Sequence, residues 1–135
     1  GCSGGVAVTP PQPSAVEECA ATVAALPLQL DGLKRRKVEP ESAYTAAFGR
    51  PAVTVVCGAA RPEALRATSQ LIVVDGVEWF AEKLTAGTRF TTVGRVAWLQ
   101  VDVPDTVEPA ADPLVPMAPA ILAELPLSAT ASPAG

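Results

Sequence analysis

The amino-acid sequence predicts an α+β fold: a mostly antiparallel sheet of about five strands built from hairpins, with an N-terminal helix and one or two short helices packed on it. Three observations carry this expectation. Apolar residues recur at helical spacing only near the start of the chain, two hairpin patterns follow one another in its second half, and proline or glycine bounds almost every apolar run. Helices are thereby segregated from strands rather than alternating with them.

Residues 1–13 are small, proline-bearing and uncharged, a composition that buries too little surface to order itself, and a flexible tether is expected. Ser14 then offers an N-cap oxygen, and Glu17 can reach back to the cap amide as in a capping box. Val16, Cys19, Val23 and Leu26 follow at helical spacing, which predicts an amphipathic helix over 15–26, ended by Pro27, with Cys19 on its buried face. After Asp31-Gly32, the only basic run, Lys34-Arg35-Arg36-Lys37, reads as a solvated loop. Pro40 opens and Gly49 closes a short helix over 41–48. Residues 52–57, valine-rich between Pro51 and Gly58, predict a buried strand, and residues 61–66 one helical turn.

The strongest local signal joins residues 71–74 to 77–84 through Asp75-Gly76, since Asp-Gly favours the left-handed dihedrals of a two-residue hairpin. With Val74 opposite Val77, Ile72 faces Trp79, so these four share an apolar face while Glu78 and Glu82 point the other way. Trp79 is expected in the core. A second hairpin runs from residues 89–93 through a type II′ turn at Gly94-Arg95 into residues 96–103. Ala97, Leu99, Val101 and Val103 form its apolar face, leaving Trp98 on the opposite one with Val96, Gln100 and Asp102, and with Thr91 across the ladder. Beyond Pro104 the chain is proline-rich, with a short helix expected over 120–125 and a disordered end from Ser128. The domain plan is a tether over 1–13, one folded domain over 14–104 and a C-terminal segment over 105–135.

The chain has 135 residues, 49 % of them apolar, with 14 prolines, three cysteines and no histidine. One domain of this length buries roughly two-thirds of its unfolded surface, enough for a real core. Without histidine there is no His-based triad, no His-ligated zinc and no ordinary near-neutral general base. Ten Lys and Arg against 14 Asp and Glu leave a net charge of −4, and one short basic run is too little for a nucleic-acid footprint. Proline, glycine or charge interrupts each apolar run before the roughly 18 residues of a membrane span.

Cys2 lies in the tether, which leaves Cys19 and Cys57 as an even pair on elements expected to pack. A bridge between them would tie the helix to the central strand and close a loop of about 39 residues, worth roughly 4 kcal/mol in loop entropy. Two reduced buried thiols are the alternative; the export-like flanking composition favours the bridge. The opening Gly1-Cys2-Ser3-Gly4-Gly5 resembles the processing site of a bacterial lipoprotein, at which the signal peptide is removed and the cysteine lipidated. Lipid on Cys2 would hold the protein on the outer face of the cell membrane; without it the protein would be secreted.

Cys19, Leu26-Pro27 with Asp31-Gly32, Gly49-Arg50-Pro51, Cys57-Gly58 with Pro62, Val77-Glu78-Trp79, Thr91-Thr92 with Gly94-Arg95, and residues 101–104 occur in a characteristic order. In these features the chain resembles an uncharacterised family of actinobacterial exported proteins and lipoproteins, a domain of unknown function. The resemblance implies an exported location and a paired Cys19 and Cys57, and no particular activity.

Candidate chemistry is sparse. A Cys57 nucleophile would need a basic partner, and without histidine only Arg61 or a helix N-terminus remains. Glu78 and Glu82 lie on one strand face about 13 Å apart by strand rise, beyond the separations of paired glycosidase carboxylates. The sequence has no glycine-rich phosphate loop, metal-ligand cluster or Gly-x-Ser-x-Gly elbow, and no cofactor or metal is expected. The binding features are Trp98 and Thr91 with Arg89 and Arg95, an aromatic platform flanked by cations and suited to an envelope protein, a glycan or a lipid. Burial of Trp98 under a helix or the proline-rich tail is the competing expectation. The run at 34–37 can meet anionic headgroups, with a solvated loop balanced by Glu39 and Glu41 as the alternative. The expected function is that of a non-catalytic binding or interaction module of the cell envelope. A small envelope enzyme and an apolar-ligand carrier are the alternatives.

Overall fold

The computed structural model describes residues 5–129. Along the chain it has β1 (Val6–Ala7), helix α1 (Val16–Ala25), β2 (Gln29–Leu30), β3 (Leu33–Arg36), β4 (Val38–Glu39), β5 (Thr45–Phe48) and β6 (Val53–Ala59). There follow β7 (Ile72–Val74), β8 (Val77–Leu84), β9 (Gly87–Thr92), β10 (Trp98–Pro104), a 3₁₀ turn (Asp112–Leu114) and helix α2 (Ala118–Glu124). One antiparallel sheet of eight strands has the order β2-β3-β5-β6-β10-β9-β8-β7, and β1 pairs in parallel with β4. The α+β architecture is as expected, but the sheet has eight strands rather than about five.

The extra strands are β2, β3 and β5, and the last two come from segments whose local pattern is overridden by pairing. Residues 45–48, expected in a helix, form β5 between β3 and β6, where all four side chains are buried. Alanine favours helix only weakly, and a strand flanked on both sides satisfies every backbone group. The basic run, expected as a loop, is mostly β3. Its alternation sends Arg35 to the helix side, where the guanidinium donates to Val23 O (3.1 Å) and Leu26 O (3.2 Å) and lies 5.7 Å from the centre of the Phe48 ring. Arg35 thus closes the C-terminal carbonyls of α1, the end at which the helix dipole favours a cation. At the other end the capping box does not form: Ala15 is the N-cap and makes no side-chain bond, and Glu17 and Glu18 stand in the first turn.

The expected Cys19–Cys57 disulfide joins α1 to β6 with a Cα–Cα distance of 5.4 Å, and both cysteines are fully buried. Val53, Val55 and Cys57 on β6, Leu99, Val101 and Val103 on β10, and Val77 and Trp79 on β8 form one continuous apolar face beneath the two helices. Residues beyond 104 complete that core, since Leu114, Met117, Ile121 and Leu125 are all inaccessible to solvent. At the other terminus, in the segment read as a tether, Val6 N donates to Lys37 O (2.9 Å) and Val8 N to Glu39 O (3.1 Å). Backbone pairing orders these residues where side-chain burial alone would not.

The first hairpin has the expected register, with Val74 opposite Val77 and Ile72 opposite Trp79, and positive φ at both Asp75 (48°) and Gly76 (89°). Its β7 strand lies at the sheet edge, so Ile72 is exposed while Trp79 is fully buried. The second hairpin differs. Thr91 faces Gln100 rather than Trp98, a shift of two residues that preserves which side chains share a face. The tight turn is lost because its residues pair with the C-terminal segment: Val96 N donates to Pro126 O (3.0 Å) and Ser128 N to Gly94 O (2.8 Å). Thr92 Oγ1 accepts the Leu99 amide (2.9 Å) in place of the missing ladder bond. Residues 61–66 form turns, including Leu65 N to Pro62 O (3.3 Å), and not a helical turn.

Candidate binding site

The helices cover one face of the sheet. The opposite face carries the alternate residues of the same strands, and two rows of it define the site. Phe80, Thr91, Gln100 and Val56 lie side by side across β8, β9, β10 and β6, as do Glu82, Arg89, Asp102 and Thr54. Between β6 and β7 the chain travels from the sheet centre to its far edge, and residues 60–63 of that connection rise over these rows. Together they enclose a recess of ≈ 340 Å³ walled by Arg61, Glu63, Glu82, Arg89, Thr91 and Gln100.

A bulge sets the geometry at its rim. Cys57 pairs with Leu99 and Ala59 with Trp98, so Gly58 is an extra residue on β6. Its φ is +103°, and a Cβ there would approach Pro13 Cβ at 2.5 Å and Pro13 Cα at 3.0 Å, so only glycine fits. The bulge bends β6 into the connection and brings Arg61 over Trp98, the guanidinium 5.7 Å from the ring centre. Arg61 also donates to Leu65 O (3.0 Å), holding the connection on itself. Trp98 is half-buried, with Arg61 of this connection lying over its ring.

Inside the recess, Arg89 is held in a fork by Asp102, with Nε–Oδ1 2.8 Å and Nη2–Oδ2 3.0 Å. The hydrogen bonds to Asp102 raise the Arg89 pKa above its ordinary value, so this guanidinium is a fixed cation that is already neutralised. Thr91 is 1 % exposed, and its Oγ1 is buried without a hydrogen-bond partner among the described residues. Thr91 thus floors the recess with its hydroxyl just beneath the accessible surface. The walls carry both signs: Arg61 stands against Glu63 and Glu82, while Arg89 is paired with Asp102.

The structure therefore brings Thr91, Arg89 and Trp98 to one place, and separates Arg95 from them. Arg95 donates to Leu125 O (2.8 Å), and burial lowers its pKa from the ordinary value. It clasps the C-terminal segment instead of facing the recess, because the lost tight turn redirects it. Arg61 and Glu63 were not legible as site residues, since their position depends on the path of the connection. Cys2, the expected lipidation site, lies outside the described residues. Among the described residues no three metal-ligating side chains cluster, and no helix is long and apolar enough to cross a membrane.

The class defined by these features is a disulfide-linked α+β domain with one helix-covered sheet face and one open face bearing a polar recess. The chain belongs to the family described as "Protein of unknown function (DUF3515)", whose profile matches residues 4–130. No curated protein and no solved structure matches it.

Proposed function

We propose that the protein is a non-catalytic binding module of the cell envelope, exported and held at the membrane by lipid on Cys2 or secreted, and that it takes a neutral, hydroxyl-rich ligand such as a glycan segment in the outer-face recess. The observation that carries this reading is the polar recess itself, lined by Thr91 and Gln100 and walled by charges of both signs, beside the Arg61–Trp98 stack. The mixed signs in the walls favour a neutral ligand over an ion, because added charge of either sign would meet repulsion as well as attraction. Hydroxyl and amide groups supply both donors and acceptors, and the aromatic ring at the rim supplies an apolar surface for a sugar face. The buried Cys19–Cys57 bridge is consistent with an oxidising compartment.

Tryptophan fluorescence tests the site directly. Trp79 is sealed in the core and Trp98 is half-buried, so a ligand entering the recess changes the emission of Trp98. Titration with envelope oligosaccharides should give a saturable change that Gln100→Ala weakens severalfold and Lys83→Ala leaves intact. No saturable change across the panel, or an identical response in Gln100→Ala, refutes the assignment. The anchoring part is separate: protein expressed with a lipoprotein leader should partition into detergent and Cys2→Ala should not, and equal partitioning of the two rejects the lipid anchor.

A further inference from the structure

The chain has ten lysines and arginines, and the structure divides them into two sets. Seven have intramolecular work: Arg35 on the α1 carbonyls, Arg36 on Gly49 O, Arg61 on Leu65 O, Arg66 on Glu63 O and Leu65 O, Lys83 on Asp105, Arg89 on Asp102 and Arg95 on Leu125 O. The remaining three, Lys34, Lys37 and Arg50, line one recess of ≈ 540 Å³ together with Arg36, Gly32, Leu33 and Gly49. Among the described residues no carboxylate lines it; Asp31, at the neighbouring turn, borders a different recess with Asp112, and Glu41 shares another with Arg36 and Lys37. The side chains of Lys34, Lys37 and Arg50 hold no hydrogen bond or ion pair among the described residues.

The fold builds this cluster from separate elements. Strand alternation places Lys34 and Arg36 on the outer face of β3, the former beside Gly49, whose N donates to Lys34 O (2.9 Å), and the latter opposite Ala47. Arg36 donates to Gly49 O (2.9 Å), which fixes its guanidinium at the recess, and the β5–β6 turn carries Arg50 to the same rim. Gly49, at φ +80°, lets the turn lie close on β3, where a Cβ would meet Leu33 Cδ2 at 2.8 Å and displace that side chain. Three cations without a partner among the described residues, set beside Arg36, repel one another unless an anion joins them. Two guanidinium forks and two ammonium groups match the oxygens of a phosphate.

The geometry points to a second binding site, independent of the polar recess, at which Lys34, Arg36, Lys37 and Arg50 hold a phosphate group, carried either by a membrane-lipid headgroup or by a soluble phosphate ester. Two probes separate the sources. Inorganic phosphate is titrated against chloride of equal ionic strength, read from the backbone amide resonances of Gly32, Lys34, Gly49 and Arg50. Flotation with phosphatidylglycerol–phosphatidylcholine vesicles is compared with pure phosphatidylcholine. The double variant Lys34→Gln/Arg50→Gln should weaken binding on the order of 25-fold, at about fivefold per cation. Arg66→Gln/Lys83→Gln, which removes the same charge elsewhere, should change it less than twofold, with near-ultraviolet circular dichroism confirming the fold of both.

A saturable phosphate response lost in the recess variant supports the site and assigns it to the phosphate group itself. Binding to anionic vesicles without a response to free phosphate supports the site and assigns it to a headgroup displayed on a membrane. Response to neither probe, or equal weakening by the two double variants, overturns it.

Discussion

Replacing Thr91 by valine keeps the side chain branched and nearly the same size while exchanging a hydroxyl for a methyl. In most proteins that exchange destabilises, because a buried threonine hydroxyl is usually bonded. Here Oγ1 is buried and unpartnered among the described residues, so the hydroxyl costs the folded state about 1–3 kcal/mol of desolvation without return. Solvent reaches the recess above it, which places the expected gain of Thr91→Val near the lower bound, about 1 kcal/mol, or a Tm rise of about 3–5 °C for a domain of this size. Calorimetry on the two proteins measures it. Thr45 is a control on the same face, since it lies opposite Val56 in the Phe80–Thr91–Gln100–Val56 row and its Oγ1 is likewise buried and unpartnered. Thr45→Val should stabilise by a similar amount and leave ligand-induced Trp98 fluorescence unchanged, whereas Thr91→Val should weaken that response fivefold or more. A fall in Tm for Thr91→Val would show that the hydroxyl is already bonded in solution. An unchanged fluorescence response would remove it from the site.

Mass measurement of untreated protein should show two hydrogens fewer than the reduced chain, and Cys19→Ala/Cys57→Ala should lose about 4 kcal/mol in urea denaturation from loop entropy across a separation of 38 residues; free thiols at both positions would contradict the bridge. Arg35→Met keeps the packing on Phe48 but removes the bonds to the α1 carbonyls, and should cost about 1–3 kcal/mol, read by chemical denaturation. A loss below a few tenths would mean that water caps the helix equally well.

The parts of the fold that were legible in the sequence are those decided locally. Asp75-Gly76 dictates its own turn, and the register of Val74 on Val77 follows from it. The spacing of Cys19, Val23 and Leu26 marks the buried side of α1 whatever lies opposite. The missed strands are decided by neighbours: Ala46 and Ala47 carry little preference of their own, and a run of four cations becomes a strand only when β5 pairs with it and a helix end receives Arg35. Gly94-Arg95 shows the same competition, its turn chemistry giving way to pairing with Pro126 and Ser128. At the site, alternation sufficed to group Trp98, Thr91 and Arg89 and survived a register shift of two. Arg61 reached them through a connection whose course no periodicity records.

The adjacency of β6 and β10 at the middle of the sheet imposes an order of assembly. β6 can pair with β5 early, and Cys57 with Cys19, since all of these precede residue 60. The other side of β6 stays open until three further strands have been synthesised and β10 arrives to fill it, and α2 follows later still. A nascent chain therefore displays the bare side of the central strand while residues 60–97 emerge, and such non-local closure is intrinsically slow. The covalent link between α1 and β6 makes this interval tolerable, because it keeps a helix over one side of the waiting strand until the last third of the molecule docks.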